Sequence, residues 1–154
     1  MNARYFLDTS AASYAITKKS LAFDHHLAKV PMAEIGVSTV TEAELRYGLA
    51  RRPSPALQAT IDTFLLAVTV FPWDSEAAHH YGDLRAGLER LGQLLGSMDM
   101  MIAAHALSLG LTLISSDVAF KRIKQLKVED WTNGLAEESA RPRVVRKNLA
   151  IAHQ

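Results

Sequence analysis

Apolar and polar positions along this chain alternate between two periods. Short strand-like runs occur at Arg4–Asp8, Ile35–Ser38, Val68–Phe71 and Leu111–Ser115, with a briefer one near Lys127–Val128. Between them lie longer stretches with helical spacing: one to about Lys19, then Leu21–Lys29, one to about Arg51, Ala56–Ala67, one to about Leu91, and Ser97–Leu109. Start signals support the reading, because a short polar side chain can accept from the first free amides of a helix. Thr9 or Ser10, Thr39 or Thr41, and Asp74 or Ser75 are placed to do so. Gly110 closes the helix before it, and Pro53-Ser54-Pro55 makes a turn. A short helical turn is expected around Val118–Arg122.

Strands alternating with helices predict one α/β domain with a central parallel sheet of four or five strands, flanked by helices. No internal repeat interrupts the pattern. It fades beyond Trp131, where two acids give way to the basic cluster Arg141, Arg143, Arg146 and Lys147. The expected division is therefore a domain at residues 1–134 and a C-terminal tail at 135–154, dispensable for the domain's chemistry.

The chain has 154 residues, enough for one domain, and 49% of them are hydrophobic. It has no cysteine, which rules out disulfides, zinc–thiolate sites and thiol catalysis and fits a reducing compartment. The N-terminus lacks the pattern of a signal peptide, and the most apolar stretch, Met98–Leu107, is interrupted by Asp99 and His105. A cytoplasmic protein without a membrane span is expected. The net charge is only +1, so any contact with nucleic acid must come from a local patch. Arg46, Arg51, Arg52, Arg85, Arg90, Lys121, Arg122 and Lys124 are the candidates.

In an open parallel sheet, ligands bind outside the carboxyl ends of the strands. Four acids belong at that edge. Asp8 ends the first strand, and Asp117 lies just past the fourth. Glu44 is in the first turns of the helix after the second strand, and Asp99 is in the first turn of the helix leading into the fourth. Clustered carboxylates stay ionised only with a cation between them, and hard oxygen donors select Mg²⁺ or Mn²⁺. Such a site suits phosphodiester hydrolysis. Each acid also has a plainer reading. Asp8 could end a strand and begin a turn, and Glu44 could form a capping box with Thr41. Asp99 could answer a helix dipole, and Asp117 could cap the next turn.

The same residues carry a family resemblance. Phe6-Leu7-Asp8-Thr9-Ser10 resembles the opening block of PIN-domain ribonucleases of the VapC type. Val37–Gly48, with the pair Glu44-Leu45, is similar to the second block. Leu95–Ala106 around Asp99 is similar to the third, and Leu113–Phe120 followed by Val128-Glu129-Asp130-Trp131 to the last. The resemblance implies a PIN fold, a divalent metal held by Asp8, Glu44, Asp99 and Asp117, and endonucleolytic cleavage of structured RNA such as tRNA or an rRNA loop. It further implies the toxin half of a toxin–antitoxin pair, a homodimer, and inhibition by a small VapB-like antitoxin. Thr9 and Ser10 would support the site, although the family usually has Asn where this chain has Ser10. Arg85 would either hold the acids or RNA phosphate, or pair with Glu89 one helical turn on. The helices Ala56–Ala67 and Asp74–Leu91 would supply the dimer surface. Two alternatives stay open: a catalytically inactive PIN-fold binding module, which Ser10 permits, and a phosphoacceptor receiver domain. The receiver would want a Lys just after a late strand, where this chain has Ser115-Ser116-Asp117.

Overall fold

The structure, a computed structural model, describes residues 2–133. The expected tail at 135–154 lies outside the described residues. β1 (Tyr5–Leu7) sits at the centre of a five-stranded, wholly parallel sheet. β2 (Ile35–Ser38) and β3 (Thr69–Phe71) lie to one side, β4 (Thr112–Ile114) and β5 (Val128–Glu129) to the other, in the order β3-β2-β1-β4-β5. Phe6 pairs with Gly36 on β2 and with Leu113 on β4.

Side chains alternate across a strand, so each buried strand feeds two cores. Phe6 and Leu113 face one core, shared with Leu84 and Leu88 of α5 (Ser75–Arg90) and Met100, Ile102 and Ala103 of α6 (Ser97–Leu109). Leu7, Ile35, Val37 and Ile114 face the other. That second core takes Ala11 and Ile16 of α1 (Thr9–Thr17), Phe23 of α2 (Leu21–Ala28), and Ile61, Phe64 and Leu65 of α4 (Pro55–Ala67). α3 (Thr39–Arg51) follows β2 directly, and a 3₁₀ turn at Val118–Arg122 follows β4. Trp131 closes the second core beside Phe23 and stacks on the His26 ring.

The expected α/β architecture is present, with corrections at the element ends. β1 excludes Arg4 and Asp8, and β4 excludes Leu111 and Ser115. Asp8, not Thr9 or Ser10, caps α1, and Ser38, not Thr39 or Thr41, caps α3. The cause is the same in both places. The cap must be the last residue with extended backbone, and here the strand enters the helix with no intervening loop; ψ is 177° at Asp8 and 151° at Ser38. Gly110 closes α6 in the left-handed conformation, at φ 67°, which glycine adopts at no steric cost.

The case for a dimer surface on both long helices also changes. The apolar stripe of α5 packs within the chain, against α6. On α4, Leu66 alone among its large apolar residues points outward, at 88% exposure. Among the described residues no helix is long and apolar enough to cross a membrane.

Candidate active site

The chain leaves β1 toward β2 and β3, then crosses back to β4 on the other side of β1. The two connections diverge between β1 and β4, which opens a crevice at their carboxyl ends. Asp8 and Asp117 hang from these two ends.

Asp8 is 4% exposed. One carboxylate oxygen accepts from the Ala11 amide at 2.8 Å, closing the first turn of α1. The other accepts from the Ser115 hydroxyl at 2.5 Å. The oxygen of Ser115 in turn accepts from the Asp117 amide at 3.0 Å, so one buried hydroxyl ties the two strand ends together. Burial pushes the Asp8 carboxyl up to about 6, against the pull of the Ser115 and Ala11 hydrogen bonds. Repulsion from Asp99 and Asp117 adds to the rise.

Asp99 is in the first turn of α6, whose cap residue, Gly96, supplies no side-chain hydrogen bond. Partial burial raises its carboxyl above the usual range, and the charges of Asp117 and Glu44 raise it further. Asp117 is exposed and caps the 3₁₀ turn through the Ala119 amide at 2.9 Å. Glu44 is half-buried on α3 and accepts from the Thr9 hydroxyl at 2.5 Å, with the Thr41 hydroxyl 3.4 Å from Thr9. This replaces the capping box with Thr41, because Ser38 already caps α3.

Asp99 thus feels Asp117 and Glu44, and Asp8 feels Asp99 and Asp117. They remain spread: among the described residues no three potential metal ligands close on a single point. Burial is the main cause of the two raised carboxyls, and repulsion between the acids adds to it. The donor set is all carboxylate oxygen with no imidazole or thiolate, which fits a hard divalent cation.

Other expected residues fall differently. Ser10 is exposed on the first turn of α1, and the bonds to the Asp8 carboxylate come from Ala11 and Ser115 instead. Arg85 is exposed on α5 and donates to the Tyr81 hydroxyl at 2.8 Å; the groups acting on it are Tyr81 and Glu89, not the four acids. One site residue, Ser115, escaped the sequence reading. So did the buried contact of Ser38 with His105 at 2.9 Å, which joins the start of α3 to the middle of α6. Burial holds the His105 imidazole below its usual range, against the opposing pull of the Asp74 charge. A serine directly after an apolar strand and two residues before an acid was the available signal for Ser115. Nothing in the sequence pointed from Ser38 to His105, 67 residues away.

Comparison with known proteins decides the family. The model of the PIN domain matches residues 5–126. The chain belongs to the PIN-domain family. Within it the similarity is to VapC ribonucleases. A Haemophilus influenzae protein named ribonuclease VapC2 is 35% identical over 134 residues, covering 83% of this chain and 98% of that protein. A Shigella flexneri protein named tRNA(fMet)-specific endonuclease VapC is 33% identical, covering 84% and 98%. Among solved structures, VapBC2 of Rickettsia felis bound to a promoter DNA fragment matches with a TM-score of 0.76 and 32% identity, covering 82% of this chain and 98% of that one. This PIN domain is therefore a nuclease fold of the hydrolytic, VapC kind. The receiver-domain alternative falls away.

Proposed function

We propose that this PIN domain is the toxin of a toxin–antitoxin pair, an endoribonuclease that hydrolyses a phosphodiester in structured RNA with Mg²⁺ or Mn²⁺. The observation that carries the reading is that Asp99 lies within electrostatic reach of Asp8, Asp117 and Glu44, with Asp8 and Asp99 raised in part by their acidic neighbours. These four would hold the ion. When bound, a divalent ion lowers the pKa of water and offsets charge on the phosphate.

The chain's own part is to keep the oxygens in place. Ser115 and the Ala11 amide fix both oxygens of Asp8, and the Thr9 hydroxyl fixes Glu44 against α3. Preset donors spare the site from reorganising when charge develops on the phosphate. Ser10 presents a hydroxyl at the exposed first turn of α1. Arg85 is assigned no part in the cut. In hydrolysis, water adds to phosphorus, the bond to the leaving ribose oxygen breaks, and that oxygen takes up a proton.

The name of the Shigella flexneri relative makes initiator tRNA the first substrate to try. The solved VapBC complexes of Rickettsia felis and Salmonella typhimurium support a VapB-like antitoxin as partner. A homodimer in the cytoplasm completes the reading, with the exposed Leu66 on α4 as one contact. The test is incubation of purified protein with initiator tRNA and with rRNA fragments in Mg²⁺, Mn²⁺ or EDTA. New internal ends that need the metal are expected. Intact RNA under every condition would favour the inactive binding module.

A further inference from the structure

The cations that the sequence offers as RNA contacts are not equivalent once folded. Arg46 is held by Asp62 at 2.7 Å and by Glu42 at 3.9 Å. Arg51 lies over the Tyr47 ring, and Arg85 is engaged by Tyr81. Lys121, Arg122 and Lys124 are exposed, and among the described residues no carboxylate pairs with them. They lie on and just after the 3₁₀ turn that Asp117 begins.

That turn is pinned to the segment leading into α6. An Nη of Arg122 donates to the Leu94 carbonyl at 3.0 Å. At the other end, Asp117 and Asp99 lie within electrostatic reach. The two segments form one lip beside the acids, and it carries three exposed apolar side chains: Val118 at 72%, Met98 at 48% and Leu94 at 41%. Val118 follows one acid and Met98 precedes another. Neither core claims them.

Exposed apolar side chains next to cations that no carboxylate neutralises among the described residues, at the edge of an acidic cleft, suit a particular ligand. A nucleotide presents an apolar base face and an anionic phosphate together, provided the base is unstacked. Paired bases hide that face. We infer that Leu94, Met98 and Val118, with Lys121 and Arg122, seat an unpaired nucleotide next to the scissile phosphate, so that the lip directs cleavage to single-stranded loops. The inference rests on the endoribonuclease reading. The aliphatic side chains lie against the base, and the cations offset the repulsion between the four acids and the neighbouring phosphates.

The test uses the full chain and Leu94→Ser, Val118→Ser and Lys121→Gln, none of them among the four acids or their holders. Steady-state cleavage of a fluorescent stem–loop RNA gives KM and kcat, and anisotropy in EDTA gives binding without the cut. Each serine variant should raise KM and weaken binding about five- to tenfold, with kcat within about threefold. Lys121→Gln should lower the slope of log affinity against log salt by about one. The preference for the stem–loop over the matching blunt duplex should shrink in the serine variants. Unchanged KM and binding would overturn the inference, as would a loss confined to kcat. A changed oligomeric state by light scattering with KM unchanged would assign the lip to protein contact instead, and would also overturn it. If the parent chain cuts no RNA, the endoribonuclease reading fails by itself, while anisotropy still shows whether the lip binds the loop.

Discussion

Asp74 and Asp8 do the same local job in different surroundings. Each stands before a helix and accepts from the amide three residues on, at 3.0 Å to Ala77 and 2.8 Å to Ala11. Asp74 caps α5, and its charge also reaches the buried His105. Asp8 is buried, accepts from a second donor, and faces two other carboxylates. A cap stabilises a helix. A cap whose carboxyl is pushed to about 6 by burial works against the fold at neutral pH. Asp8 is thus a helix cap like Asp74, and its burial, its second donor and its acidic neighbours set the two residues apart.

The largest contrast should come from Asp8→Asn. Asn keeps the shape but removes one negative charge from the acids, so cleavage should fall on the order of a hundredfold or more. Stability should move the other way. Because the folded pKa of Asp8 lies above its ordinary value, ionisation costs the fold stability as pH rises from about 4 to about 6. In EDTA, the Asn variant should exceed the parent by roughly 2–3 kcal/mol above pH 6, and the two should converge below pH 4. Urea melts across that range check it. A parent and variant that stay parallel at every pH would deny the burial of charge.

Ser115→Ala should have the next largest effect. It removes a hydrogen bond that lowers the Asp8 pKa and loosens the tie to the Asp117 amide. Activity should drop about tenfold, and the acid limb of its pH profile should shift upward; Ser115→Thr should restore most of both. An Ala variant with the parent's profile would leave Ser115 as packing only.

Asp74→Ala should do what a cap alone does. It should cost about 1 kcal/mol of stability in a thermal melt and leave RNA cleavage unchanged. A large loss of activity would dissolve the contrast with Asp8. Smallest of all, truncation after Gly134 should leave specific activity within about a few-fold, since the match to the family ends at residue 126. A folded but inactive truncation would place the tail in the site.

The layers, the parallel sheet and the nearness of Asp99 to Asp8, Asp117 and Glu44 were legible in the sequence because period and strand-end position are local properties. Strand and helix ends were read less well. A strand entering a helix without a loop moves the cap back by one residue, as at Asp8 and Ser38, and composition does not show that. Partners distant in sequence were not legible. Ser115 meets Asp8 across 107 residues, and Thr9 meets Glu44 across 35. Arg85 was readable either as a partner of the acids or of Glu89, and its helix turns it to Tyr81 and Glu89. The apolar surface of α5 looked unpartnered until α6 was laid against it.

The central claim is that Asp99, with Asp8, Glu44 and Asp117, forms one metal-holding site. It is tested most directly by Asp99→Asn, assayed on initiator tRNA in EDTA-washed, metal-replenished buffer beside a thermal melt. Its removal relieves repulsion with Asp117 and Glu44, so the metal-free fold should melt at or above the parent's temperature while cleavage falls a hundredfold or more. A folded Asp99→Asn protein that cuts RNA at the parent rate would contradict the account.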